Sequence, residues 1–100
     1  MTDQPKQQQI NIKMDDATMK GVYANAMGVS HTKEEFTMDF MNVYPFQHSG
    51  IVTSRVITSP GHMKRIYLAL QDNIKKYETQ FGTITQAAAP SDGEIGFKTA

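Results

Sequence analysis

The sequence contains no cysteine and no tryptophan, only 9% aromatic residues, no surplus of charge of either sign and no long apolar run. Each absence excludes something. Without cysteine there is no disulfide framework and no thiol nucleophile. Ten Lys and Arg balance ten Asp and Glu, so the chain lacks the concentrated positive charge that coats nucleic acid non-specifically. No stretch approaches the roughly 18 consecutive apolar residues of a membrane helix, and Met1–Gln9 does not follow the charged-then-apolar layout of a secretory signal. The expected compartment is the cytoplasm.

Catalytic constellations are equally scarce. His31, His48 and His62 lie 17 and 14 positions apart, without the close spacing of paired metal ligands on one element. Asp15-Asp16 and Glu34-Glu35 are adjacent carboxylates, and neighbours on a strand or turn point in different directions rather than forming an acid/base dyad. No serine sits in a Gly-x-Ser-x-Gly elbow, and the glycines are scattered rather than gathered into a phosphate loop. The expectation is a non-enzymatic protein without cofactor, metal or membrane span.

What is there reads as one small α+β domain between plain ends. Residues 1–9 hold four Gln and one Pro and read as a flexible leader; residues 83–100, rich in Ala, Gly, Ser and Thr, read as a mostly disordered tail. The unit between, residues 10–82, is small enough that a solitary hydrophobic core stabilises it only marginally.

Inside that unit the pattern predicts four antiparallel strands followed by one long helix. Ile10, Ile12 and Met14 alternate with polar residues, the period-2 signature of a first strand over Gln9–Met14. A second extended run covers Val22–Ser30, with a helix over Met19–Met27 as the alternative that propensity leaves open. Phe36, Met38 and Phe40 mark a third over Glu35–Val43, ended by Tyr44-Pro45, since proline cannot donate to a ladder. Ile51–Thr58 is the fourth, with Arg55 its one full charge, expected to pair with Asp39 or Glu35 on the neighbouring strand.

Ser59-Pro60 is a helix start: the serine oxygen accepts from an orphan backbone N–H, and proline takes the position where its missing donor costs nothing. The helix runs to Phe81, with Gly82 expected as a left-handed cap. Met63, Tyr67, Leu70, Ile74, Tyr77 and Phe81 recur at intervals of four and three, a heptad stripe along the whole element. At 1.5 Å per residue such a helix is about 33 Å long and overhangs its own sheet. An overhanging apolar stripe implies a second copy in a homodimer. Lys13, Tyr23 and Arg55 are candidate contacts on the sheet surface, and seven Met residues supply an adaptable apolar inventory.

The pieces Gly21-Val22-Tyr23, Ser30-His31-Thr32 before Glu35-Phe36, Asp39-Phe40, Ser54-Arg55-Val56-Ile57, Leu70-Gln71-Asp72-Asn73-Ile74, Tyr77-Glu78 and Phe81-Gly82 resemble the bacterial and archaeal family designated domain of unknown function 3467. The resemblance spans Ile10–Ile84 and carries no known activity, so it supplies no catalytic residues. The family commonly carries a proline-and-glycine loop after its Asp-Phe strand; here that loop reads Tyr44-Pro45-Phe46-Gln47-His48-Ser49-Gly50. The leading functional expectation is a homodimer binding a protein or peptide partner, in a layout that resembles the bacterial export chaperone SecB. The alternative is single-stranded nucleic-acid binding, as in four-stranded coactivator and whirly-type folds, with Lys13, Lys20, Lys33 and Arg55 beside Tyr23 and Phe36.

Overall fold

The structure, a computed structural model, describes residues 8–90. A short helix α1 (Asp16–Lys20) precedes strands β1 (Ala26–His31), β2 (Phe36–Tyr44) and β3 (Ser49–Thr58), and the long helix α2 (Pro60–Phe81) follows. The strands form one antiparallel sheet in the order β1-β2-β3.

Among the described residues the sheet therefore has three strands, not four. Gln9–Met14 pairs with nothing: Ile10, Ile12 and Met14 are 75%, 87% and 59% exposed. Alternation makes a segment able to bury one face, yet a strand also needs a ladder partner, and the chain turns away immediately afterwards. Asp15 caps α1, its carboxylate accepting from the Thr18 N–H at 2.7 Å. The second expected strand begins four residues late, at Ala26. In its place Asn25 imitates a ladder residue with its side chain: its amide donates to the Val43 carbonyl at 3.0 Å, and its Oδ1 accepts from the Val43 N–H at 2.8 Å.

The helix is as the sequence predicts, with Ser59 Oγ accepting from the His62 N–H at 3.2 Å. Gly82 has φ 99° and ψ 169°, a positive φ that favours glycine but lies outside the left-handed helical well expected of the cap. The expected loop after Tyr44 contains a 3-10 turn over Pro45–Gln47 and then His48 at φ 50°, ψ 39°. The leader lies outside the described residues up to residue 7, and the tail from residue 91; residues 83–90 carry no helix or strand.

Among the described residues the buried apolar side chains are Met38, Met41 and Val43, all on the central strand β2. The radius of gyration is 18.0 Å and the longest dimension 64 Å, against about 13 Å for a compact chain of this length. The cause is α2. Met63 and Ile66 in its first two turns are half-buried, and the apolar residues beyond them stand exposed.

Close packing at the hairpin between β2 and β3 makes a test of this register. A Cβ added to Gly50 would lie 3.0 Å from the Asn42 carbonyl oxygen and 3.4 Å from the Val43 Cα, both backbone atoms that cannot swing aside. At Gly28 the same addition meets only the flexible Met41 Cε, at 3.5 Å. Gly50→Ala is expected to lower stability by about 1–3 kcal/mol, and Gly28→Ala to stay within about 0.5 kcal/mol of neutral, measured by denaturant unfolding.

Candidate functional site: an uncovered apolar surface

Cross-strand partners share a face of the sheet, so the register sorts the side chains. One face carries the rows His31–Phe36–Thr58, Val29–Met38–Val56 and Met27–Phe40–Ser54. It is predominantly apolar, and around the buried Met38 the side chains of Met27, Val29 and Val56 stay 50%, 52% and 41% exposed. His31 closes its end by stacking on Phe36, with ring centroids 5.3 Å apart.

The opposite face is centred on the row Gly28–Asp39–Arg55. The Arg55 guanidinium donates from Nε to Asp39 Oδ1 at 2.6 Å and from a terminal nitrogen to Oδ2 at 2.9 Å, a two-pronged pairing across adjacent strands. Of the two partners expected from sequence, Asp39 is the one Arg55 takes. This hydrogen bonding holds the Asp39 carboxyl below its ordinary range and raises Arg55 in return. Met41 and Val43, two of the three buried apolar side chains, lie on this same face beside the charged pair.

The sequence-predicted stripe on α2 is exposed along nearly its whole length. Tyr67 and Leu70 are each 59% exposed, Ile74 and Tyr77 each 49%, and Phe81 66%; Met63 alone of the six is half-buried. Tyr77 and Phe81 pack on each other, one turn apart, with centroids at 5.0 Å. The helix also has a polar side, where Lys76 pairs with Asp72 at 3.0 Å. Such an amphipathic helix normally hides its apolar side.

The remaining candidates fall elsewhere. Lys13 lies in the unpaired segment before α1, and Tyr23, 76% exposed, in the extended approach to β1. Neither joins Arg55 in a patch defined by strand pairing. Two residues that sequence reasoning passed over matter more. Asn25 closes the end of the β1–β2 ladder, a role whose only sequence signal is a polar side chain in an otherwise extended run. Phe46 is 99% exposed at the tip of the β2–β3 hairpin, pushed outward because Pro45 starts a 3-10 turn and His48 adopts the left-handed conformation. A fully exposed phenylalanine at a braced hairpin tip is an unusual solvent-facing choice, since it buries no area.

Among the described residues no three His, Cys, Asp or Glu side chains gather as a metal-binding group, and no helix is long and apolar enough to cross a membrane. A family model described as protein of unknown function, DUF3467, matches residues 1–86. No curated protein matches the chain, and no solved structure does.

The Asp39–Arg55 pair makes a pH prediction. Because the folded-state pKa of Asp39 is depressed, its contribution is fully present above the unfolded carboxylate value and is lost as pH falls through the lower folded value. Asp39→Asn is expected to flatten the acid limb of the melting temperature against pH and to leave the neutral-to-basic limb parallel to wild type. High salt narrows the difference, since Arg55 is 58% exposed.

Proposed function

The chain belongs to the DUF3467 family of proteins of unknown function, and from its surfaces we propose that it is a homodimeric interaction module that binds a protein or peptide partner. One observation carries this: Tyr67, Leu70, Ile74, Tyr77 and Phe81 form a continuous apolar stripe that no other described residue covers. Burying the five at roughly 100 Å² each in both copies removes about 1,000 Å², the lower bound for a specific interface. The apolar sheet face adds to this area. A soluble monomer with both surfaces in water would instead aggregate.

Phe46 supplies the second half of the proposal. It stands at the far end of the β2–β3 hairpin from the strand end that leads into α2, so it remains free when the stripe is buried. An exposed aromatic on a short, braced turn is a low-entropy anchor for an apolar pocket or peptide on a partner. The nucleic-acid alternative has less behind it. Arg55 is already bonded to Asp39 through two nitrogens, which takes away the one cation in the sheet, and a sheet of three strands departs from the four-stranded layouts that motivated both that alternative and the likeness to SecB.

Two measurements test the proposal. Sedimentation equilibrium at micromolar concentration is expected to give twice the chain mass, and the melting temperature is expected to rise with protein concentration, as mass action requires for a folded dimer. Leu70→Asp with Ile74→Asp is expected to weaken association by about 100-fold or more. For the partner site, an array of extended apolar peptides is expected to be bound by wild type and about 10-fold less by Phe46→Ala, with an unchanged melting temperature. Salt-sensitive binding of a labelled single-stranded oligonucleotide, with no peptide retained, would contradict the partner class.

A further inference from the structure

Resting on the dimeric reading above, we infer that the two copies exchange helices: α2 of one protomer lies across the apolar sheet face of the other, rather than pairing with its partner's α2. The inference starts at the junction between β3 and α2. The strand ends at Thr58 and the helix begins at Pro60, leaving Ser59 as the entire connection. Strand-to-helix connections that return a helix onto its own sheet commonly use two to six residues. One residue does not reverse the chain direction and lift it by the ~10 Å that separates packed layers.

The junction is also stiff. Proline at position 60 restricts the residue before it to extended backbone, and Ser59 sits there at φ −74°, ψ 156°. Its hydroxyl accepts from the His62 N–H at 3.2 Å, and its carbonyl from the Met63 N–H at 2.9 Å. The first turn of α2 is thus locked to the end of β3, and the helix leaves the sheet instead of folding back. Two apolar surfaces result in one chain, held apart by its own covalent geometry. One is the stripe from Tyr67 to Phe81; the other is the face bearing Met27, Val29 and Val56.

Complementarity selects the occupant. A heptad stripe of large side chains fits an apolar sheet face flanked by Phe36 and Phe40, and a two-fold axis lets both copies satisfy both surfaces at once. Direct pairing of the two helices would cover the stripes and leave both sheet faces in water. A short connection that denies the intramolecular arrangement is the usual condition for exchange of an element between identical chains, and lengthening it restores the monomer.

The first test inserts Gly-Ser-Gly-Ser between Thr58 and Ser59, which keeps the Ser59 cap and frees α2 to return. Sedimentation equilibrium is expected to move from dimer to folded monomer, with helical circular dichroism retained. A dimer of undiminished affinity would overturn helix exchange while leaving the dimeric reading intact; a wild-type chain that is a well-folded monomer would overturn both. The second test does not depend on the insertion folding. Val29→Asp damages the sheet face and Ile74→Asp the stripe, so each alone is expected to associate poorly. Mixed, they restore one intact helix-on-sheet contact, and the mixture is expected to associate at least about 10-fold more tightly than either variant. Helix-to-helix pairing predicts no such rescue, and its absence would overturn the inference.

Discussion

A single residue, Ser59, separates the last strand from the long helix, and the disposition of apolar surface in this protein depends on that shortness. Helix and sheet are each well specified: the helix by its serine cap, N1 proline and heptad spacing, the sheet by alternation and by Asn25 tying off one end. What the chain lacks is a way to bring one onto the other. Among the described residues three apolar side chains are buried, all on β2, a small core against what ordering a domain costs. In the proposed dimer the missing burial comes from a second copy of the chain.

The sheet is two-faced in a way that gives this requirement a direction. Asp39 and Arg55 lie across from each other at the centre of one face, where a packed helix would have to desolvate both charges. The other face presents Met27, Val29, Met38, Phe40 and Val56 in register. Phe46, at the hairpin tip, belongs to neither face, so in the proposed reading one apolar surface serves assembly and another meets a partner.

Much of this was legible from the sequence, and the reasons differ by element. The helix from Ser59-Pro60 to Phe81 was readable because cap, proline and heptad agree and all act locally. That Arg55 pairs with a carboxylate on the neighbouring strand is readable, because one charge in a β-branched run requires a counter-ion; the choice of Asp39 over Glu35 follows from the register. The segment Gln9–Met14 was not, because alternation reports only that a strand is affordable, while the existence of an edge to pair with is a tertiary fact. Asn25 escaped notice for a related reason: a side chain that stands in for backbone cannot be told from a surface amide without the opposite strand. Phe46 reads in sequence as ordinary loop content; the 3-10 turn and left-handed His48 set it outward.

The central claim is that apolar contacts missing within one chain are made between two. Isotope-filtered NMR on a mixed sample, half the molecules ¹³C-labelled and half unlabelled, tests it directly. The account predicts intermolecular methyl contacts from Leu70 and Ile74 of one copy to Val29, Met38 and Val56 of the other. Contacts from α2 to the sheet found only within a single chain, in a particle of one chain's mass, would contradict it.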